Sequence, residues 1–300
     1  MSVRLLRSVS TATPAAFSAH VLVRLVKACW RRRFLLSFAG ACLAVLWLSP
    51  FLWMIAAALR SDSSGPDIAS IFPRWPLSVS YFKDAWFSAE WARLYVNTLL
   101  FTLGNLLVQL VIIIMAGYAF AFGRFRGRNL LFQLFLMQLM LVPVVLMVPN
   151  MLTLKTLNLL DTLVGVMAPY FASAFGVFLV RQAFRGIPKE MEEAAMVEGA
   201  SFFQLLIHVL VPAIWPTLLA FSIISVTAHW NEFLWPLMVL NNPDLQVLTI
   251  GLVSFAMGAE AGSEWGLVAA GTLMVCLPLM IAFLAFQKQF INSFGFTEYK

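Results

Sequence analysis

The chain has 300 residues, 61% of them hydrophobic and only 11% charged, with 27 Phe and 10 Trp. A soluble domain carries roughly twice that share of charge, so a soluble core and a disordered chain are both excluded, and an integral membrane protein is implied. The formal net charge of +6 fits membrane orientation; no basic groove with interleaved aromatics is present, so no nucleic-acid partner is expected.

Residues 1–33 hold seven basic residues and no acidic one. The stretch has the acid-free character of a transit peptide, but its plain reading is a basic cytosolic tail. Within it, 21–30 suit a helix lying on the lipid surface, with Arg24 and Lys27 toward headgroups. Six stretches are then long and apolar enough to span: 34–59, 94–122, 130–149, 163–180, 210–230 and 266–286. The third and fifth contain Pro143 and Pro216, where kinks are expected. The run 247–258 is too short to cross and is assigned to a loop. The expected fold is therefore all-α, a polytopic membrane protein with six transmembrane helices.

Charge sets the orientation. With the N-terminus in the cytosol, inside segments 1–33, 123–129, 181–209 and 287–300 carry 15 of the 20 Lys and Arg residues, and the outside segments carry 5. That asymmetry over short loops follows the positive-inside rule. It places both termini, and the stretch 185–212, in the cytosol. The first external loop, 60–93, holds Trp75, Tyr81, Trp86 and Trp91 among its aromatics. These fit an interfacial aromatic belt, or a docking surface for an external protein.

The stretch 185–212 is the most charged interior part of the chain. Pro188 suits a first helical turn, and Glu190, Glu192 and Glu193 complement the helix dipole. Met191, Ala194, Ala195 and Glu198 share a face. Gly199 stands where a helix end needs positive φ. Ser201 and Gln204 have the spacing of a capping box for a second helix. The spacing predicts a helical hairpin between two spans.

Glu193-Ala194-Ala195, then Gly199, then Val209 and Val211-Pro212, resembles the EAA signature of permease subunits in bacterial ABC importers. Val209 and Val211 replace the family's Ile and Leu. The run Trp230 to Leu237 and the last span resemble the carbohydrate-uptake, maltose permease-like subfamily, although the C-terminal tail differs. The resemblance covers roughly 94–295. It implies a type I ABC importer permease fold. The chain then divides into a tail (1–33), a first helix with its external loop (34–91), a type-1 transmembrane domain (92–287) and a C-terminal tail (288–300). It also implies a pair of ABC ATPase subunits, with the hairpin docked in a groove on an ATPase through Glu193, Ala194, Ala195, Gly199 and Pro212. A second homologous permease, an external solute-binding protein and surrounding membrane lipid would complete the assembly in the bacterial inner membrane.

No catalytic set is visible. The chain lacks a Gly-rich phosphate loop ending in Gly-Lys-Ser/Thr, and Cys29, Cys42, Cys276, His20, His208 and His229 are scattered. No cofactor, metal site or enzyme activity is expected. Asn97, Asn105, Gln109, Gln133 and Gln138 lie within spans, where they form interhelical hydrogen bonds or line a solute path. Glu232 would cost about 3 kcal/mol at mid-bilayer, so it belongs near the outer interface or in a wet cavity. Trp230, Asn231, Glu232, Asn105 and Gln138 are the candidate solute contacts. The alternative is an ion-gradient-driven secondary transporter, which calls for inverted repeats and a midplane charge. The solute is left open among an oligosaccharide, a monosaccharide and glycerol-3-phosphate.

The charge asymmetry generates the first prediction. A periplasm-active reporter fused after Lys300 is expected to be silent and one fused near Asp67 active; the opposite pattern would reverse the orientation.

Overall fold

The computed structural model describes residues 14–60, 77–261 and 264–295. Among these the secondary structure is helical, with no strand. In chain order the helices are α1 (Pro14–Ala58), α2 (Ser80–Ser88), α3 (Trp91–Ala121), α4 (Arg128–Met137), α5 (Pro143–Thr156), α6 (Leu163–Met167), α7 (Ala174–Arg185), α8 (Lys189–Val197), α9 (Phe202–Gln204), α10 (Val211–Ala213), α11 (Trp215–Trp230), α12 (Leu234–Val239), α13 (Leu248–Ala261) and α14 (Trp265–Gly295).

Three straight helices are long and apolar enough to cross a membrane: Leu36–Ala58, Trp91–Ala121 and Trp265–Gln287. The other three expected spans are helix pairs bent at a short break. Arg128–Met140 meets Pro143–Thr156 at 105°, Leu163–Tyr170 meets Ala174–Arg185 at 47°, and Phe202–Ala213 meets Trp215–Trp230 at 78°. Taken as single spans, they bring the crossings to six. The first two bent pairs each contribute to two separate cores. Phe132 of the first pair is buried with Phe184, Ala195 and Leu205 at the hairpin end. Leu154 of the same pair is buried with Trp235 and Val239 at the opposite end. The second pair is divided the same way, with Val180 in the first core and Val166 in the other.

Prolines account for two of the breaks. Pro143 opens α5 and Pro216 lies in the first turn of α11; each lacks an N–H and clashes with the carbonyl four residues earlier. The middle break joins a proline, Pro169, to a side-chain cap. A short 3-10 turn, Ala168–Tyr170, ends the first half, and the Ser173 hydroxyl restarts the helix by accepting from the Gly176 N–H at 3.1 Å.

Several boundaries differ from the sequence expectation. α1 begins at Pro14 and continues unbroken into the first span, so much of the basic tail is helix continuous with that span. The side chains concerned in a surface-lying 21–30 fall outside the described residues, as do Trp75 and the last five residues. The C-terminal span continues as helix to Gly295. Residues 247–258, expected in a loop, form α13. They are too short to cross, but shortness does not preclude a helix, and Thr98 of α3 accepts from the Leu248 N–H at 2.7 Å to cap its start. Trp91, expected in an aromatic belt or docking surface, is buried, and its Nε1–H donates to Ala85 O at 2.6 Å.

Helix α3 packs against α7, α11 and α13. Its crossing with α7 depends on small residues, as membrane helix contacts commonly do. At Gly176, an added Cβ would sit 2.7 Å from Phe221 Cε2 and 2.8 Å from Ile113 Cγ2. Overpacking of this kind costs about 1–3 kcal/mol. Gly176→Ala is therefore expected to lower the melting temperature of the detergent-solubilised protein, while an unchanged melting temperature would show that the crossing has slack.

Candidate functional site

Two features stand out from the residues upward: the hairpin between α7 and α11, and a polar cavity at the helix breaks.

The hairpin forms largely as its local signals dictate. Pro188 is the N-cap of α8 rather than its first helical residue, with extended backbone at ψ 135°; the helix starts one residue later than the sequence implied. Glu190 and Glu192 occupy the first turn. Gly199 has φ +82° with open space around it, so the demand for glycine there is conformational and not steric. The Ser201–Gln204 capping box is present, with Gln204 Oε1 accepting from the Ser201 N–H at 2.8 Å. Residues Leu205–Leu210 then wind as a π-helix. The wider turn directly precedes Pro212, whose ring would crowd the carbonyls of a regular α-helix.

The hairpin has two faces. Ala195 points inward, only 9% exposed, and shares a core with Leu205, Leu206 and Phe184. Its smallness lets the two arms of the hairpin close on each other. Glu193 and Ala194 remain exposed on the other face. Beside them Met196, Phe203 and above all Val197, at 89%, are uncovered apolar side chains. An exposed apolar patch rimmed by polar groups marks an interaction surface.

Tyr118, near the C-terminal end of α3, ties the hairpin to the membrane helices. Its hydroxyl donates to Glu192 Oε1 at 3.1 Å. Its ring meets Phe202 edge-on at 5.1 Å and Phe184 of α7 at 6.4 Å. Close by, Arg181 donates from Nε to Phe120 O at 3.1 Å and lays its guanidinium 3.9 Å above the Phe132 ring.

The cavity measures about 510 Å³ and lies where α5, α7 and α11 surround the first two breaks. Its polar lining includes Gln109, Gln138, Asn150, Tyr170, Ser225 and His229. Behind part of that lining runs a directed hydrogen-bond chain. Gln109 Nε2 donates to Tyr170 O at 2.7 Å, Ser225 Oγ donates to Gln109 Oε1 at 2.6 Å, and His229 Nδ1 lies 2.7 Å from Ser225 O.

Of the solute-contact candidates named from sequence, Gln138 alone lines this cavity. Asn105 is fully buried, and neither atom of its amide has a partner among the described residues. Trp230 turns toward α14, donating from Nε1 to Val275 O at 3.4 Å. Asn231 is exposed and bonds back to Thr227 O at 2.8 Å. Glu232 lies just past the α11 C-cap, its carbonyl accepting from Thr249 Oγ1 at 2.7 Å. Sequence reasoning passed over Ser225, Tyr170 and Asn150. The four-residue spacing of Ser225 and His229, two polar groups on one face of an apolar helix, was the available signal.

Comparison with known proteins agrees with this architecture. Residues 109–291 match the family described as binding-protein-dependent transport system inner membrane component. The arabinooligosaccharides transport system permease protein AraQ of Halalkalibacterium halodurans is 31% identical, over 86% of this chain and 92% of its own length. The lactose transport system permease protein LacG of Rhizobium radiobacter is 29% identical, over 83% and 90%. Among solved structures, a bacterial ABC transporter involved in the import of the acidic polysaccharide alginate has a chain that superposes with TM-score 0.71. That chain is 21% identical, with 90% of this chain and 97% of the other covered; the likeness establishes the fold.

The positive φ at Gly199 generates a paired prediction. Gly199→Val is expected to cost about 1–2 kcal/mol at the hairpin turn and to cut uptake sharply at normal membrane abundance. Gly199→Asn, which tolerates left-handed backbone, should stay near wild type. Equal uptake by both variants would mean the turn geometry does not matter to transport.

Proposed function

The chain belongs to the family of inner membrane components of binding-protein-dependent transport systems, and from that footing we propose that it carries a sugar or sugar-like solute into the cell through a path it shares with a second permease. It is a multi-pass permease subunit of an ATP-driven importer and not an enzyme; in this family the ATPase is a separate subunit. An ATPase, another permease and a solute-binding protein are its family partners. Carbohydrate as the solute is supported by relatives that transport arabinooligosaccharides and lactose.

The hairpin 185–212 is the coupling element in this proposal. The observation that carries it is the uncovered apolar patch of Met196, Val197 and Phe203 beside exposed Glu193 and Ala194. That surface has the chemistry of a helix-in-groove contact, here with one of a pair of ATPases. Ala195 and Gly199 hold the hairpin's shape, and Pro212 starts its return into the membrane. Both termini lie in the cytosol, as the basic asymmetry requires. Lipid covers the exposed apolar side chains of α1, such as Leu46 and Trp47, and nucleic acid plays no part. The solute passes along the polar side chains near the breaks, among them Gln138, while Trp230, Asn231, Glu232 and Asn105 support the surrounding helices.

The test is reconstitution. The assembly, purified through a tag on this chain and placed in proteoliposomes with its binding protein, is expected to take up sugar only with ATP. This chain alone should hydrolyse no ATP and move no solute. Uptake by this chain alone under an ion gradient would overturn the importer assignment in favour of a secondary transporter.

A further inference from the structure

We propose that the cavity between the first two helix breaks is a solute site contributed by this chain itself, and that it accepts uncharged, hydroxyl-rich solutes and rejects anionic ones. The inference rests on the permease function proposed above and adds to it which residues touch the solute and what charge that solute bears.

The first argument is position. Non-helical backbone at membrane depth persists only where it lines a cavity or is buried in protein. The break before Pro143 follows 13 residues of helix from Arg128, and the break at 171–173 precedes the 12 residues of α7. At about 1.5 Å per residue, each break lies about 18–20 Å along its helix from the cytosolic end, well inside a hydrocarbon core of about 30 Å. Leu141, Pro143, Tyr170, Ala172 and Ser173, from the two breaks, all line the cavity. Its volume, about 510 Å³, falls within the range of small-molecule sites, about 300–1,000 Å³.

The second argument is the unused hydrogen-bonding capacity. A carbonyl only accepts, so the 2.7 Å contact to Ser225 O requires His229 Nδ1 to carry its proton. In the neutral ring Nε2 is then an acceptor, and it has no partner among the described residues although the ring is only 7% exposed. Tyr170 and Phe101 hold the imidazole edge-on at 4.9 and 5.7 Å, which fixes where Nε2 points. Gln138 and Asn150 also line the cavity and form no hydrogen bond with the described residues. Two free amides and one fixed imidazole acceptor are a set for hydroxyl groups, each of which both donates and accepts. Phe175 adds an apolar ring to the lining for the C–H face of a sugar.

The third argument is charge. None of the lining residues is Asp, Glu, Lys or Arg. An anion leaving water for this site would find no cation to compensate it. Glu232, which approaches Tyr170 from outside the lining, adds a charge of the same sign as the anion.

The experiment uses the tagged assembly in proteoliposomes with ATP and its binding protein. The probes are radiolabelled lactose and arabinotriose against sn-glycerol-3-phosphate and an alginate trisaccharide. Uptake is expected for uncharged probes only. A diazirine amino acid at position 138 should transfer label from the transported sugar to this chain. Gln138→Leu, at an exposed position that does not threaten folding, should raise KM about 2- to 10-fold, the effect of one neutral hydrogen bond. Membrane abundance and co-purification of the ATPase should be unchanged. His229→Phe should do the same, and His229→Gln, which restores an acceptor, should recover part of the loss. Comparable uptake of an anionic probe would overturn the proposal. So would label found only on the second permease with KM unchanged in all variants. Failure of every probe to enter with ATP would remove the importer assignment, and this inference with it, and is recognisable by the absence of ATP-driven uptake rather than by altered selectivity.

Discussion

The structure depends on the unbroken helix α3 and the polar side chains spaced along it. At its outer end Arg93 pairs with Asp244, and Asn97 donates to Asp244 O and Gln246 O at 2.8 and 2.9 Å. One turn in, Thr98 caps α13. At mid-length Gln109 bonds to Tyr170 beside the break in the α6–α7 span and to Ser225 of α11. At the inner end Phe120 O receives Arg181 of α7, and Tyr118 reaches Glu192 of the hairpin. A broken span exposes backbone groups that lipid cannot satisfy. It also loses the stiffness of a continuous helix, and α3 supplies a fixed edge against which the broken segments are held.

On the proposed function, this arrangement gives a route from the hairpin to the cavity. The arms of the hairpin are closed on each other through Ala195, Leu205 and Leu206, so they move as a unit. That unit touches the C-terminal end of α3 through the Tyr118 hydroxyl and ring, and shares a core with Phe184 of α7. α7 runs from there to the middle break, which lines the cavity. Breaks supply the places where φ/ψ can change while the helical pieces stay rigid, the geometry of hinge motion. Small shifts of packed cores resolve into discrete arrangements rather than continuous deformation, which suits alternation between inward and outward access.

Much of this was legible in the sequence because it was local. The spans follow from runs of apolar residues, and the hairpin from Gly199, Ser201 and Gln204, whose roles depend on neighbours a few residues away. Pro143 and Pro216 announced their breaks for the same reason. What stayed hidden depends on partners distant in the chain. Pro169 marks the break at 171–173 too, but its stability comes from Gln109 and a Ser173 cap whose significance appears only once α3 lies alongside. The α13 helix is capped by a threonine 150 residues earlier. Ala195 could be assigned to a face of its helix, but which face was covered depended on where Leu205 and Leu206 fold back. Trp230 and His229 adjoin in sequence yet point to different neighbours, one to α14 and one to the cavity, and the side of α11 that each occupies is set by packing. Asn105 is the residual puzzle of the core, a buried amide with no partner among the described residues.

The central claim is that the hairpin acts on the membrane helices through the contact between Tyr118 and Glu192. A double-mutant cycle tests it most directly, with Tyr118→Phe, Glu192→Ala and the pair compared by binding-protein-stimulated ATP hydrolysis and solute uptake in the whole assembly. Tyr118→Phe keeps the ring contacts and removes only the hydroxyl. The account predicts that each single variant and the double variant lose uptake relative to ATP hydrolysis by about the same factor, at unchanged abundance and ATPase co-purification, because all three remove one shared interaction. Full coupling in both single variants, or losses that simply add, would contradict it.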